Sequence, residues 1–561
     1  MDTDSDLSFS EEGSGVESGN EDVNRQLHNR PWIWVAINDT DRYTRPHHIH
    51  DFIQRYGPRN PPTPNASPIE YFRKLTSLED GTNILDILVT ETNRYAGQSL
   101  NNADLSHHSR SHEWIDTNVQ EMSAFLGLYL AMGLVKKPTI ASYWNSENRF
   151  SLFQTPSFRN IMTRNRFQLL LQYLHCNDNN TNIPRGNPNH DPAHKVRPIL
   201  DLINTSFKDS YSLSRDITVD ESIVGFKGRN RIVQYVPAKK THRWGAKLFV
   251  LAESDTGFNY HINLYAGKSH TAGRIHPNGL GYEVVMDLVR PLFGKYHHLL
   301  VDNYFSSPVL GDDLFQNQMY LTSTVKETRK GMPKSYRTTR VPKGEMVVKQ
   351  CGPLMAMKYS DRKTVTMLST FATPIIEVSE NGRGVQKLIP NATRVYNKLM
   401  GGVDLGDSMI QTYDPDFRSL KMWKRVLVNL LLRIVVNAYI IYKQNRGFRQ
   451  KMNRFEFTMT LCQELIGNHQ VERRVPGRTS TYNRLSDRHF INYIPEILMS
   501  MFFVLSLQNM DIRSSIFQRY TSCVYSFLHY RNEMLLSLFD VVSFVETLLQ
   551  MLKVILYSVT I

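Results

Sequence analysis

From about residue 213 the spacing of apolar side chains changes period, and that change limits the folds open to this 561-residue chain. Short β-branched and aromatic runs follow one another there: Asp216-Ile217-Thr218-Val219-Asp220, then Ala246 to Ala252, then Asn259 to Tyr265. Each has the length and composition of a strand. Tyr282 to Phe293 has helical spacing and leads to the apolar run Leu299-Leu300-Val301, which ends at Asp302. Ser307-Pro308 offers an N-cap and a first-turn proline for another helix, and Tyr320 to Val325 reads as a further strand. Three strands, helix, strand, helix, strand is the order of a mixed α/β sheet covered by helices.

The flanking segments read differently. Helical spacing in Ile69-Tyr71-Phe72-Leu75, in Ile84-Leu85-Ile87-Leu88, in Met122 to Leu134 and in Ile161 to Leu174 predicts an all-helical region before the sheet. Residues 328–392 read as a β-rich insertion, with strands near Glu345 to Lys349, Leu354 to Lys358, Thr364 to Ser369 and Ile375 to Val378. Helix resumes at about Thr393 and runs to about Gly467. Within it Val426 to Tyr442 is strongly apolar, but Asn429, Arg433 and Asn437 recur every four residues and mark one polar face, which predicts a core helix and not a membrane span. Residues 468–496 read as a basic linker. The apolar tail from Ile497 to Ile561 is broken by charges, so no run reaches the roughly 20 residues a span requires.

Lys plus Arg number 66 against 53 Asp plus Glu, a formal charge of +13, which favours a polyanionic partner, nucleic acid first. Eight acids and no base lie in residues 1–22, so the rest is more basic than this average. Residues 1–30 are too polar and too uniformly charged to offset their ordering entropy, and predict a disordered acidic tail without the apolar region of a signal peptide. The four cysteines, Cys176, Cys351, Cys462 and Cys523, never form a CxxC pair, which argues against a disulfide framework or a Cys-rich zinc module. The histidine groups His47, His48, His50 and His107, His108, His112 lack thiolate partners, and no structural zinc is expected from them.

Four carboxylates stand where such a sheet would bring chemistry together. Asp220 lies on a strand with its side chain opposite Ile217 and Val219, and Asp302 closes another strand. Sites of open α/β sheets form beyond strand ends, so the two can converge although far apart in sequence. Asp404 and Asp407, in GGVDLGD, are three apart and share a face if the segment is helical. Together they suit hard, oxygen-preferring cations such as Mg²⁺, two of which clamp the attacking and leaving oxygens of phosphoryl transfer; solvated caps and turns are the ordinary alternative for any few aspartates. Between Phe226 and Lys247 the bases Lys227, Arg229, Arg231, Lys239, Lys240, Arg243 and Lys247 occur with no acid, interleaved with Phe226, Tyr235 and Trp244, a composition suited to phosphate contacts with DNA. A second basic run, Lys326 to Lys343, reads equally well as a solvated loop.

These residues resemble the piggyBac family of DNA transposases and transposable element-derived proteins. The resemblance is carried by Tyr143-Trp144, Met162 to Phe167, Leu174-His175, Val219-Asp220-Glu221-Ser222, Phe226 to Arg229, Tyr235 to Lys240, Trp244 to Lys247, Val301 to Phe305, Tyr396-Asn397, and Gly401 to Asp404 with Asp407, over roughly residues 50–490. It implies an RNase H-like catalytic core in two parts, about 213–327 and 393–467, interrupted by the β-rich insertion. It also implies that residues 31–212 form a dimerisation and DNA-binding region. Asp220, Asp302 and Asp404 match the three catalytic aspartates and Asp407 a further aspartate of the site. The activity implied is strand cleavage and transfer at TTAA targets with two Mg²⁺ ions, or Mn²⁺ in their place, by a nuclear homodimer acting on double-stranded DNA; a domesticated, inactive DNA-binding relative is the alternative. The Cys/His-rich zinc module of the family has no counterpart in the apolar tail, which puts recognition of transposon ends in doubt.

Overall fold

The computed structural model describes residues 31–470 except 38–45, 102–104, 146–154, 231, 237–242, 266, 268–276, 381–383, 385, 416, 418, 420 and 447–451. The acidic segment 1–30, the basic linker beyond residue 470 and the apolar tail therefore lie outside the described residues, as do Arg231, Lys239 and Lys240.

Strands in chain order are β1 Val35–Ala36, β2 Gly57–Pro58, β3 Tyr211–Ser212, β4 Asp216–Gly225, β5 Val233–Tyr235, β6 Trp244–Glu253, β7 Asn259–Leu264, β8 His298–Val301, β9 Tyr320–Thr324, β10 Met346–Cys351, β11 Leu354–Ser360, β12 Thr364–Ser369, β13 Ile376–Glu380 and β14 Gln386–Pro390. Ten of them form one sheet in the order β1-β10-β11-β12-β9-β8-β4-β6-β5, with β7 also paired to β6. β4 and β6 are antiparallel, while β8 is parallel to β4 on one side and to β9 on the other. β8 is buried at all four positions, which is why His298-Leu299-Leu300-Val301 reads as a continuous run and not as an alternating one. Its one polar residue is satisfied on both sides: His298 Nδ1 lies 2.8 Å from Asp216 Oδ1 and its Nε2 2.9 Å from Thr322 Oγ1, tying β4, β8 and β9 together.

Expected and observed strands agree in place and differ in extent. β4 runs five residues past Asp220 because it stays paired to β6 as far as Gly225↔Gly245 after β8 has ended. β5, three residues long, was not legible in the basic segment; it pairs with β6 as a hairpin arm, Val233↔Ala246 to Tyr235↔Trp244. In the insertion the four expected strands are β10 to β13, joined by β14. β12 pairs antiparallel with β9, so β10 to β12 extend the central sheet and also bury a methionine-rich cluster of their own around Met346, Met355, Met357 and Met367.

The helices before and after the sheet pack on one another. Val119–Leu134 lies against Arg454–Ile466, and Pro68–Thr76 against Met422–Arg446. Ser123 Oγ donates to Leu465 O at 2.7 Å across the first contact, and Glu464 Oε2 accepts from Ile69 N at 2.8 Å, which ties Pro68–Thr76 to Arg454–Ile466 as well. Gly127 permits the close approach, since a Cβ there would stand 2.8 Å from Cys462 O. Met422–Arg446 is the one described helix long and apolar enough to cross a membrane, yet it is buried within the protein along most of its length. Its polar face also turns inward, with Arg433 and Asn437 fully buried.

Candidate active site

Strand register brings the first two aspartates together. Val219 pairs with Val301 and Val301 with Ser323, so the next residues of β4, β8 and β9 are Asp220, Asp302 and Thr324. Parallel neighbours lie about 4.8 Å apart, which sets the scale of this row. Asp302 follows the last residue of β8 and its Oδ1 accepts from Tyr304 N at 2.8 Å. Burial, reinforced by the charge of Glu221, raises the Asp302 carboxyl above its ordinary value despite that hydrogen bond.

Asp404 arrives from the far side of the insertion on the helix Gly402–Thr412, which packs on β4 and β6. Two glycines on one face of this helix decide how close it comes. A Cβ on Gly402 would stand 2.5 Å from Glu253 O and 2.8 Å from Thr218 Oγ1, and one on Gly406 3.0 Å from Gly257 O. A side chain at Gly402 pushes the helix off β4, which carries Asp220, and off the end of β6; one at Gly406 pushes it off the turn that leads into β7. Gly402→Ala is therefore expected to cost about 1–3 kcal/mol, as overpacking does, measurable as a fall in Tm, with a larger proportional loss of any metal-dependent activity.

Tyr396, on the preceding helix Asn391–Leu399, reports the convergence. Burial pushes its hydroxyl up to about 12; a hydrogen bond with Thr324 opposes this, and the charges of Asp302, Asp220 and Asp404 all add to it. All three carboxylates thus act on one hydroxyl. Among the described residues, however, no three His, Cys, Asp or Glu groups close into a ready ligand set.

Asp407 has a different setting. Asp404 is exposed, but one turn on, Asp407 Oδ1 accepts from Ser222 Oγ at 2.7 Å and from the buried Arg433 at 3.1 Å. Arg433 also donates to Ser222 Oγ at 2.6 Å, to Asn429 Oδ1 at 2.9 Å and to Asn259 Oδ1. Asn259 and Asn437 exchange two further bonds of 3.0 and 2.8 Å. One guanidinium thereby holds β4 two residues beyond Asp220 and the helix three residues beyond Asp404. Ser222, Gly402 and Tyr396 lay in the motifs that carry the resemblance, Gly406 in GGVDLGD and Arg433 between two asparagines on the polar face of its helix, but none of them had an assigned role in the sequence.

The basic residues divide. Lys227, Arg229 and Arg243 are exposed, and beside them Tyr235 and Trp244, 48% and 51% exposed, pair across β5 and β6 with ring centroids 4.8 Å apart. Lys247 is instead 2.5 Å from Glu221 Oε1 and lies over the Tyr304 ring at 4.6 Å, so its charge is already matched at the edge of the aspartate row. The backbone of the second basic run is pinned, since buried Lys358 donates to Tyr336 O and Thr339 O and pairs with Glu327 at 3.0 Å and Arg329 bonds Asn303 O and Tyr304 O next to Asp302. But Lys326, Lys330, Lys334, Arg337, Arg340 and Lys343 are exposed, as in a solvated loop.

The family model for transposase IS4 matches residues 67–439, which takes in every strand of the large sheet but β1, the insertion and all four aspartates. The chain belongs to this family, in its piggyBac branch. PiggyBac transposable element-derived protein 3 of Homo sapiens is 26% identical over 58% of this chain, and the match spans just over half (55%) of that relative's length. PiggyBac transposable element-derived protein 5 of Homo sapiens is 22% identical over 73% of this chain and 78% of its own. A solved piggyBac transposase synaptic complex with hairpin DNA shares the fold at a TM-score of 0.62 and 23% identity, covering 76% of this chain and 90% of the other. Its core is RNase H-like, and the strand order β7-β6-β4-β8-β9 with parallel β4, β8 and β9 is that core here. Transposases of this kind generally use divalent metal ions.

Proposed function

We propose that this piggyBac-type transposase cleaves and joins DNA strands at TTAA sites, with Asp220, Asp302 and Asp404 holding two Mg²⁺ ions, or Mn²⁺ in their place. The geometry that carries the reading is the register Val219↔Val301, which sets Asp220 beside Asp302, with the helix that bears Asp404 packed on β4. Their chemistry fits the metal: hard oxygen donors, mutually repelling, one of them with its charged form disfavoured by burial and a neighbouring acid. The ions, when bound, would activate an attacking oxygen and stabilise the leaving one.

The protein's own residues have separate tasks. Asp220 and Asp302 are fixed by register, whereas Asp404 is exposed in the first turn of a helix that packs on β4. Asp407 serves as counter-ion and orienting group, since one of its oxygens is engaged by Ser222 and Arg433. Thr324 and Tyr396 offer hydroxyls beside the row. Lys227, Arg229 and Arg243, with Lys239, Lys240 and Arg231 of the same segment, supply phosphate contacts, and the Tyr235–Trp244 pair a face for a base or sugar. DNA as substrate places the work in the nucleus, and holding two ends together calls for a homodimer.

The deciding assay incubates the full chain with TTAA-containing duplex and Mg²⁺ or Mn²⁺. Metal-dependent nicks at TTAA, abolished by EDTA, are expected. The second reading, a domesticated DNA-binding protein, draws on the absence of a closed ligand set among the described residues; duplex binding without cleavage in either metal would select it. For the hairpin, Lys227→Ala/Arg229→Ala/Arg243→Ala is expected to flatten the log–log salt dependence of duplex binding by about 0.9 per lost phosphate contact. An unchanged slope would remove this segment from the DNA path.

A further inference from the structure

Away from the aspartates, the last turn of the helix Arg164–Tyr173 and the first turn of Met422–Arg446 gather three lysines on an aromatic base. Lys424 Nζ donates to Leu171 O at 2.5 Å and Gln172 O at 2.9 Å, closing the end of the first helix, and lies 5.4 Å from the Trp423 ring centre. Lys195 stands over the same ring at 5.6 Å and Lys421 over Tyr95 at 5.5 Å. Tyr95 stacks on His175 at 3.7 Å, and His175 meets Trp423 edge-on at 4.8 Å. The backbone of the other two is fixed: Cys176 Sγ donates to Lys195 O at 2.8 Å, and Lys421 N donates to Ser419 Oγ at 3.1 Å.

What the cluster lacks is a counter-charge. Among the described residues none of the three lysines pairs with a carboxylate. Burial pushes Lys424 down to about 7, with the charges of Lys421 and Lys195 adding to the effect, and Lys195 is lowered by burial and by Lys421. The carbonyls of the helix end satisfy Lys424, but they leave the charges of exposed Lys421 and half-buried Lys195 uncompensated. Like charges gathered on one aromatic base without a paired carboxylate favour an anion between them. Lys424 and Arg433 are nine residues, two and a half turns, apart, so the cluster lies about 13 Å along the helix from Arg433 and on its opposite side, outside the aspartate site.

The geometry points to a phosphodiester-binding site made by Lys195 and Lys421 beside the buried Lys424, which grips the backbone of a DNA duplex independently of its sequence. Lysines act here as point charges on phosphate, and the aromatic faces beneath them are already taken up by one another and by the lysine ammonium groups, which leaves no reader of base edges. The inference rests on DNA being the substrate, but not on the aspartates being active.

It is tested with the full chain and a duplex of scrambled sequence, by fluorescence anisotropy across a salt series. Lys195→Ala/Lys421→Ala is expected to lower the log–log slope by about 1.8, two phosphate contacts, with Tm unchanged, and Lys421→Gln alone by about 0.9. A wild-type slope in both variants overturns the site while leaving the cleavage reading intact; a wild-type chain that binds no duplex overturns both. In a parallel arm with inorganic phosphate, thermal stabilisation lost in the double variant at an unchanged duplex slope would assign the site to free phosphate and overturn the duplex assignment.

Discussion

Asp220→Asn, Asp302→Asn and Asp404→Asn are each expected to reduce metal-dependent cleavage by more than the 10–100-fold that follows loss of an outer partner of a metal ligand, with duplex affinity retained. Asp302→Asn carries a second, opposite effect. The folded carboxyl titrates above its ordinary value because burial and Glu221 disfavour its charged form. A carboxyl raised in the folded state destabilises the fold as pH climbs through the unfolded and then the folded value, and the penalty is complete above the latter. Asparagine keeps the acceptor for Tyr304 N and removes the charge, so at neutral pH in EDTA the variant should melt above wild type, the difference vanishing as pH falls below the carboxylate range. A melting point below wild type in EDTA would contradict this account of the site, and cleavage surviving all three substitutions would remove the aspartates from the chemistry.

Arg433→Met is expected to be the most damaging single change to the fold. It strands Asp407 without its cation and frees acceptors on Asn259, Asn429 and Ser222. Breaking a buried ion pair from one side costs roughly 3–5 kcal/mol, a large part of the margin of any domain. Asp407→Asn should cost less, because the amide oxygen still accepts from Ser222 and Arg433. The double variant Arg433→Met/Asp407→Asn should recover stability relative to Arg433→Met alone while leaving cleavage low, since the tie between β4 and the helix Gly402–Thr412 is gone. Urea unfolding of the four proteins forms a double-mutant cycle, and additive losses would show that the pair is not coupled.

The order of strands and helices from 213 to 327 was readable because the two periodicities, 2 and 3.6, are local properties of the chain, and a buried parallel strand such as β8 declares itself as an unbroken apolar run. The four aspartates were readable only as isolated acids and through the family's motifs. What joins them is non-local. Register across β4, β8 and β9 sets Asp220 beside Asp302, and that register depends on pairings such as Val219↔Val301 between residues 82 positions apart. The approach of Asp404 depends on the absence of side chains at Gly402 and Gly406, which matters only once the helix lies on β4. The likeness of Asp404 and Asp407, three apart on one helix, concealed that one is exposed while the other is taken by a buried arginine from a helix further along the chain. Likewise Lys247 looked like its six basic neighbours until Glu221, on the strand it pairs with, was seen to match its charge. By itself the sequence determined the elements, their order, the excess of positive charge and the acids available for chemistry, because these follow from composition and spacing. Only the tertiary structure decided which acids face one another, which bases stay uncompensated and which polar groups are buried, because burial and charge pairing are properties of surfaces that meet, not of segments.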